Sequence, residues 1–344
     1  MSNYIVKTLE NKTDWEKFLR LSKFNLFVQS WYYGEFNRAM GDDAFVLGVF
    51  DHHGDRKELV GGSLVVVVNA KRGKFFYLPY GPVLDFENKQ LVESFFNELK
   101  YLAKHKGVDF IRVSPFLEDS AQHRQLFKDQ GFKKSPIHMI AEHTTILQLD
   151  GDELELLKNM NQNHRNLIRR AQRDGIEIRT SEEVLDVKIL HNLLQETSKR
   201  HSFTPFSLKY LENEFRVFQN RGEAKLYFAY HEGDLLGAAM IFFYGNSTVY
   251  RHSASSSVKS KMPSSYAIQW EAIQESKRRG ITYYNFWGIA PEGNKKHPFY
   301  GITHFKKGFG GFLLDLVPAQ DFAITKKYWF NWIIETARKF KRGF

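Results

Sequence analysis

The sequence predicts an α/β protein of two related domains, and three observations carry that expectation. The chain has 344 residues, long for one core. Short aromatic and β-branched stretches alternate with amphipathic helical ones, the pattern of mixed sheets flanked by helices. The order strand, turn, strand, strand, helix, strand occurs twice.

In the first half, residues 45–50 read as a strand and Asp51-His52-His53-Gly54-Asp55 as a hairpin tip. Residues 59–68 are the return strand and 74–78 a third. A helix over 88–104 has apolar residues at 91, 92, 95, 96, 99 and 102; Gly107 closes it before a strand at 109–114. In the second half the same order runs through 225–231, the turn Glu232-Gly233-Asp234, 235–244, 248–253, a helix over 264–278 and a strand at 282–288. Gly61 answers Gly237, and Gly107 answers Gly280, so an internal duplication is the economical explanation.

The remaining stretches are predicted in chain order. Thr13 and Glu16 look like a capping box opening a helix over 13–23. A turn from Phe27 leads into a second helix that Gly41 ends. Residues 151–175 form a charged helical stretch carrying His164, Arg165, Arg169, Arg170 and Arg173. Helices follow at 185–200 and 208–218, then a strand at 312–317. A basic amphipathic helix over 325–341 holds Trp329, Trp332, Ile333 and Ile334. It could lie on the inner face of a membrane or pack back on the first domain. The domains expected are 1–150, completed by 318–344, and 151–317.

Composition narrows the function classes. A formal net charge of +10 and a pI of about 9.4 favour a polyanionic partner. The absence of cysteine excludes disulfides and thiolate catalysis. No apolar run approaches the roughly 20 residues of a membrane span. The start Met1-Ser2-Asn3-Tyr4-Ile5-Val6-Lys7 lacks a signal-peptide core, so a cytoplasmic protein is expected. No metal motif stands out, and neither a phosphate-binding Walker loop nor a Gly-x-Ser-x-Gly elbow is present.

The most pointed stretch begins at Tyr283-Tyr284-Asn285-Phe286-Trp287-Gly288-Ile289. It passes a polar loop, 290–301, and reaches His304-Phe305-Lys306-Lys307-Gly308-Phe309-Gly310-Gly311. Glycines permit close backbone approach. The expectation is that they pin two lysines where a small anionic group could come near; a solvated turn is the competing reading.

The repeated unit resembles the GNAT-type acyltransferase fold. The loops before its two helices, 257–265 and 83–88, lack the glycines that cradle the pyrophosphate of acyl-CoA, which disfavours that donor. Two such units, with Gln29-Ser30-Trp31-Tyr32-Tyr33-Gly34-Glu35-Phe36, Tyr80-Gly81-Pro82-Val83, Ile168-Arg169-Arg170-Ala171 with Gly175, Phe286-Trp287-Gly288-Ile289 and Phe305-Lys306-Lys307-Gly308-Phe309-Gly310, resemble the FemABX family. No heptad insert matches the coiled-coil arm of some members. The resemblance implies non-ribosomal transfer of an aminoacyl group from aminoacyl-tRNA, as co-substrate and without a further cofactor, to a muramyl-peptide precursor. That acceptor would be UDP-linked or lipid-linked, the latter implying peripheral membrane contact.

The resemblance also implies site residues. Phe305 and Lys306 match the site for the activated ester, with Lys306 as oxyanion donor and Phe305 shaping the pocket. Arg38 stands for the acceptor's diphosphate contact, since the lysine expected there falls at Asn37, and Trp31 is a further substrate-binding candidate. Tyr80 takes the place of an arginine before Gly-Pro, and Ser114 that of an acidic residue. Arg200 closes a Thr-x-x-Arg pattern, and Tyr250 matches a cleft tyrosine. No general base is identified; Asp85 and the substrate's own carboxylates are candidates. Two other readings stay open: a GNAT-fold N-acyltransferase with a non-tRNA donor, and a non-catalytic module binding cell-wall precursors or RNA.

Overall fold

A computed structural model describes residues 4–53, 56–71, 73–201 and 203–342. Residues 1–3 of the N-terminus, Gly54 and Asp55 of the expected hairpin tip, and Ser202 lie outside the described residues. The chain divides into two compact units. One comprises Met1–His143, Ala290–Pro298 and Leu314–Phe344; the other comprises Thr144–Ile289 and Phe299–Leu313.

Each unit is organised on a mixed sheet. In spatial order the first runs Tyr4–Leu9, Asp43–His53, Arg56–Ala70, Gly73–Tyr80, Phe110–Pro115, Gln320–Ala323 and Lys133–Lys134. The second runs Glu177–Ser181, Ala224–His231, Asp234–Tyr244, Ser247–Ser255, Tyr283–Gly288, His143–Gln148 and Phe312–Asp315. In both, the first four strands are antiparallel neighbours, the fourth and fifth are parallel, and the fifth and sixth are antiparallel. A helix makes the crossover that a parallel pair requires: Lys89–His105 in one and Ser264–Arg278 in the other. The duplication read from the glycines is therefore a duplication of topology. The sixth strand breaks the simple repeat. Gln320–Ala323 joins the first sheet after the whole second repeat, and His143–Gln148 enters the second sheet before any of its other strands.

The helices form where their apolar spacing and caps allow. Asn88 accepts the Leu91 amide at 3.1 Å and starts Lys89–His105, whose Leu91, Phe95, Phe96 and Leu99 pack on Leu47, Val65, Phe76 and Leu78 of the sheet. Ser30 caps Trp31–Met40 by accepting the Tyr33 amide, and Gly41 ends that helix at a φ of 102°. The charged stretch 151–175 is two helices, Glu153–Asn159 and Gln162–Arg173, with a capping box at Asp152 and Glu155. Several expectations need correction. A helix, Ala121–Asp129, and the short strands Tyr4–Leu9, His143–Gln148, Glu177–Ser181 and Gln320–Ala323 were not anticipated. The stretch expected as a strand over 312–317 stops at Asp315.

The C-terminal helix Lys327–Arg342 is anchored in the first unit by a buried charge network. Arg112, on Phe110–Pro115, donates from Nε to Asp321 Oδ1 at 2.8 Å and from Nη2 to Asp321 Oδ2 and Glu335 Oε2, each at 2.7 Å. Tyr328 donates its hydroxyl to Asp321 at 3.2 Å, and Asn331 its amide to Glu335 at 3.1 Å. Among the described residues, no helix is long and apolar enough to cross a membrane.

Candidate active site

The two sheets differ at their parallel pair. In the first, pairing runs from Phe75 opposite Phe110 as far as Tyr80 opposite Pro115. In the second it runs only from Ser247 opposite Tyr283 to Val249 opposite Asn285. Past that point the ladder is open. Trp287 has a φ of 64°, a conformation an L side chain rarely takes. It is held there by Asn285, whose Oδ1 accepts the Trp287 amide at 2.7 Å and the Thr144 hydroxyl at 2.6 Å. The register against His143–Gln148 shifts at the same place, between Asn285 and Gly288.

Lys306 reaches this end of the Tyr283–Gly288 strand. It lies in the last turn of a helix, Tyr300–Lys307, which corrects the expectation of a turn pinned by glycines. Helical spacing separates the two lysines: Lys306 is 6% exposed, while Lys307 is half-buried. The Lys306 ammonium donates to the Gly288 carbonyl at 2.7 Å and sits 5.9 Å from the centre of the Phe299 ring. No carboxylate pairs with it among the described residues. Burial lowers its pKa from 10.5 to about 7, since removing the ammonium from water disfavours the charged form.

The glycines after Lys306 serve packing. A Cβ on Gly308 would overlap the His164 ring, and one on Gly311, at a φ of 88°, would overlap the Ile146 carbonyl. His164 is fully buried. Its Nε2 lies 2.8 Å from the Phe305 carbonyl, so that nitrogen carries the proton and donates. Burial lowers its pKa, and Nδ1 has no hydrogen-bond partner among the described residues. Tyr266 and Phe309 meet the ring edge-on, each at 4.9 Å, and Phe305 packs on both at 5.1 and 5.3 Å. The Asn161 amide donates to the Gly308 carbonyl at 2.8 Å, stapling the start of Gln162–Arg173 to the end of the Lys306 helix.

A second cluster borders the open ladder and was not anticipated. Glu214 is fully buried on the helix Leu208–Gln219. Arg251 donates to its Oε1 from Nε at 3.0 Å and from Nη2 at 2.9 Å, and His252 Nε2 lies 2.7 Å from Oε2. Burial pushes the Glu214 carboxyl up, but Arg251 and His252 outweigh it and hold the pKa below the ordinary value. Arg251 also lies 5.0 Å from the Trp287 ring, so the cation bridges the two diverging strands. These residues are 36 or more positions apart in pairs across Glu214, Arg251 and Trp287, and sequence spacing carries no signal of them.

The other expected site residues fall in varied settings. In the first unit, Trp31 is half-buried and donates its amide to Glu16 at 2.8 Å. Arg38 is exposed, 5.9 Å from the Trp31 ring, and donates from Nη2 to the Ala44 carbonyl at 3.0 Å. Tyr80 is buried at a φ of 54° and gives its hydroxyl to the Ala141 carbonyl at 2.8 Å, which supports the turn. Gln29 braces the same turn, donating to the Pro79 carbonyl at 2.7 Å and accepting the Leu64 amide at 2.9 Å. In the second unit, Arg200 is exposed and pairs with Glu196 at 3.1 Å, with Ser255 as a further acceptor. Strand alternation turns Tyr250 into the core beside Tyr284 and Ile268 and leaves Arg251 outward. Ser114, where an acid was expected, is buried, and its hydroxyl lacks a hydrogen-bond partner among the described residues. Among the described residues, no group of three His, Asp or Glu is placed to hold a metal.

Comparison with known proteins agrees with the motifs and the tandem topology. The FemAB family model matches residues 11–144, 127–234 and 229–336. The chain is similar to the aminoacyltransferase FemA of Staphylococcus aureus, 23% identical, over 87% of this chain and 93% of that protein. To FemA of Staphylococcus epidermidis it is 23% identical over 82% of this chain and 87% of that one. Among solved structures, FemX superposes with a TM-score of 0.83 at 18% identity, covering 96% of this chain and all of that one. A tandem GNAT protein from the clavulanic acid biosynthesis pathway gives 0.55 at 11% identity, covering 93% and 98%. With its family model matched along nearly the whole chain and a twice-repeated sheet of the same architecture, the chain belongs to the FemAB family.

Proposed function

We propose that the protein is an aminoacyltransferase that moves an aminoacyl group from aminoacyl-tRNA to the side-chain amine of a peptidoglycan precursor peptide. The acceptor nitrogen attacks the ester carbonyl, the new C–N bond forms, and the C–O bond to the terminal ribose breaks. The amine loses one proton and the departing ribose oxygen gains one. The ester is already activated, so the reaction invokes no covalent enzyme intermediate and no further cofactor. The observation that best supports this reading is the buried, carboxylate-free Lys306 at the opened end of the Tyr283–Gly288 strand. The Lys306 Nζ donor there, in a water-poor setting, can hydrogen-bond the oxyanion of the tetrahedral intermediate, whose developing negative charge favours the protonated form; a fixed donor of this kind contributes roughly 2.7–4 kcal/mol.

Phe305 shapes the pocket wall with Tyr266 and Phe309. Arg200 and Arg251, with Arg38 and Trp31 of the first unit, are the candidates for contacting the phosphates and rings of the substrates. A precursor carried on a lipid would bring the protein to a membrane surface; a UDP-linked one would not.

The test is to incubate the protein with radiolabelled aminoacyl-tRNAs and a UDP-linked muramyl pentapeptide and look for an extended peptide. Product that survives ribonuclease treatment of the donor would favour a non-tRNA acyl donor, and binding without product would favour a non-catalytic module. Lys306→Ala is expected to lose turnover by about 100-fold or more while still binding acceptor; an unchanged single-turnover rate would remove Lys306 from the chemistry.

A further inference from the structure

The helix Lys327–Arg342 presents two unlike faces. Tyr328, Asn331 and Glu335, spaced three and four residues apart, turn inward and enter the Arg112 network. The outward face is apolar. Trp329, Phe330, Ile333 and Phe340 are exposed at 43%, 62%, 61% and 84% of their surfaces. Isolated exposed apolar residues are ordinary, but four large ones on one helix face form a patch that water does not favour.

The exposed charges on the helix itself are of one sign. The helix has one acidic residue, Glu335, and it is buried against Arg112. Lys326, Lys327, Arg338 and Lys339 are exposed, with Lys327 near Asp109 at 3.5 Å. The exposed edge strand Lys133–Lys134 adds to the rim, its Lys133 ammonium lying 5.0 Å over the Trp329 ring. Large aromatic and aliphatic side chains ringed by lysine and arginine, on a helix fixed from behind, match a negatively charged lipid surface. The apolar groups enter the acyl boundary, tryptophan sits at the headgroup level, and the cations meet the anionic headgroups.

We propose that this face of the C-terminal helix docks the protein on an anionic membrane. The occupant is a lipid surface and not a second copy of the chain, because a self-paired face would bring two basic rims together and repel. The inference does not rest on the transfer reaction, and its test uses no substrate.

The experiment is co-sedimentation of the full chain with phosphatidylglycerol-containing vesicles, with phosphatidylcholine vesicles as the control. The parent protein is expected to bind the anionic vesicles and to release as salt rises. The double variant Phe330→Glu with Ile333→Glu, at two exposed positions, should reduce that partitioning by about tenfold or more. An unchanged melting temperature of the double variant would show that the fold is intact. Absence of binding to anionic vesicles, equal binding by the double variant, or a concentration-dependent dimer that the double variant abolishes would each overturn the proposal.

Discussion

At the scale of the residue, Lys306 sets stability against reactivity. Its folded-state pKa is lowered from 10.5 to about 7 by burial. Between those values the unfolded chain holds the proton and the folded chain does not. Stability from this group therefore rises as pH climbs from about 7 toward 10.5, and the full cost is present below 7. Lys306→Met removes the buried charge and keeps the volume. It should melt above the parent at pH 6, by the equivalent of about 1–3 kcal/mol, with the gap shrinking as pH rises above 7. Thermal unfolding over that pH range measures this directly, and a gap that grows with pH would refute it. The sequence pointed to Lys306 through the glycines that follow it. It could not show that these glycines make room for His164 and a strand backbone, because His164 lies far away in the chain. The family resemblance named Lys306, but periodicity alone does not say which of Lys306 and Lys307 is buried, since the helical rotation decides that.

At the scale of the element, the site depends on how the Tyr300–Lys307 helix is docked. Gly308 lies against the His164 ring, and His164 holds the Phe305 carbonyl. Gly308→Ala should therefore cost about 1–3 kcal/mol and disturb the seating of Lys306. Adding His164→Ala should recover part of that loss, because the ring is what the methyl group meets. A double-mutant cycle in urea unfolding reads the coupling; strictly additive losses would show that the two do not touch. The long periodic elements were legible: the Ser264–Arg278 helix has the bounds its pattern predicts. The Tyr300–Lys307 helix was not, since Pro298 just before it and Gly301 within it are ordinary loop signals and eight residues carry little periodicity. The short strand Glu177–Ser181 was missed because it is a largely polar edge without a buried face. Gln320–Ala323 was missed because four residues after a proline give no pattern to read.

At the scale of the whole molecule, the first sheet is completed by a strand and a helix from the far end of the chain. Arg112 holds both, through Asp321 and Glu335, and all three are buried. Arg112→Ala would leave two carboxylates unpaired in the interior and should cost about 3–5 kcal/mol. The C-terminal helix should lose its protection in amide hydrogen exchange well before the rest of the sheet. Uniform exchange across the first unit in that variant would show that the network does not anchor the helix.

The sequence by itself determined the α/β class, the duplication and the family, because periodicity, turn glycines and ordered motifs are local and survive as patterns along the chain. The tertiary structure decided which strands complete each sheet, which lysine is buried, and where the second parallel pair opens. It also brought Glu214, Arg251 and Trp287 to one place. Those outcomes depend on desolvation and on partners distant in the chain, and neither is encoded in any single stretch of residues.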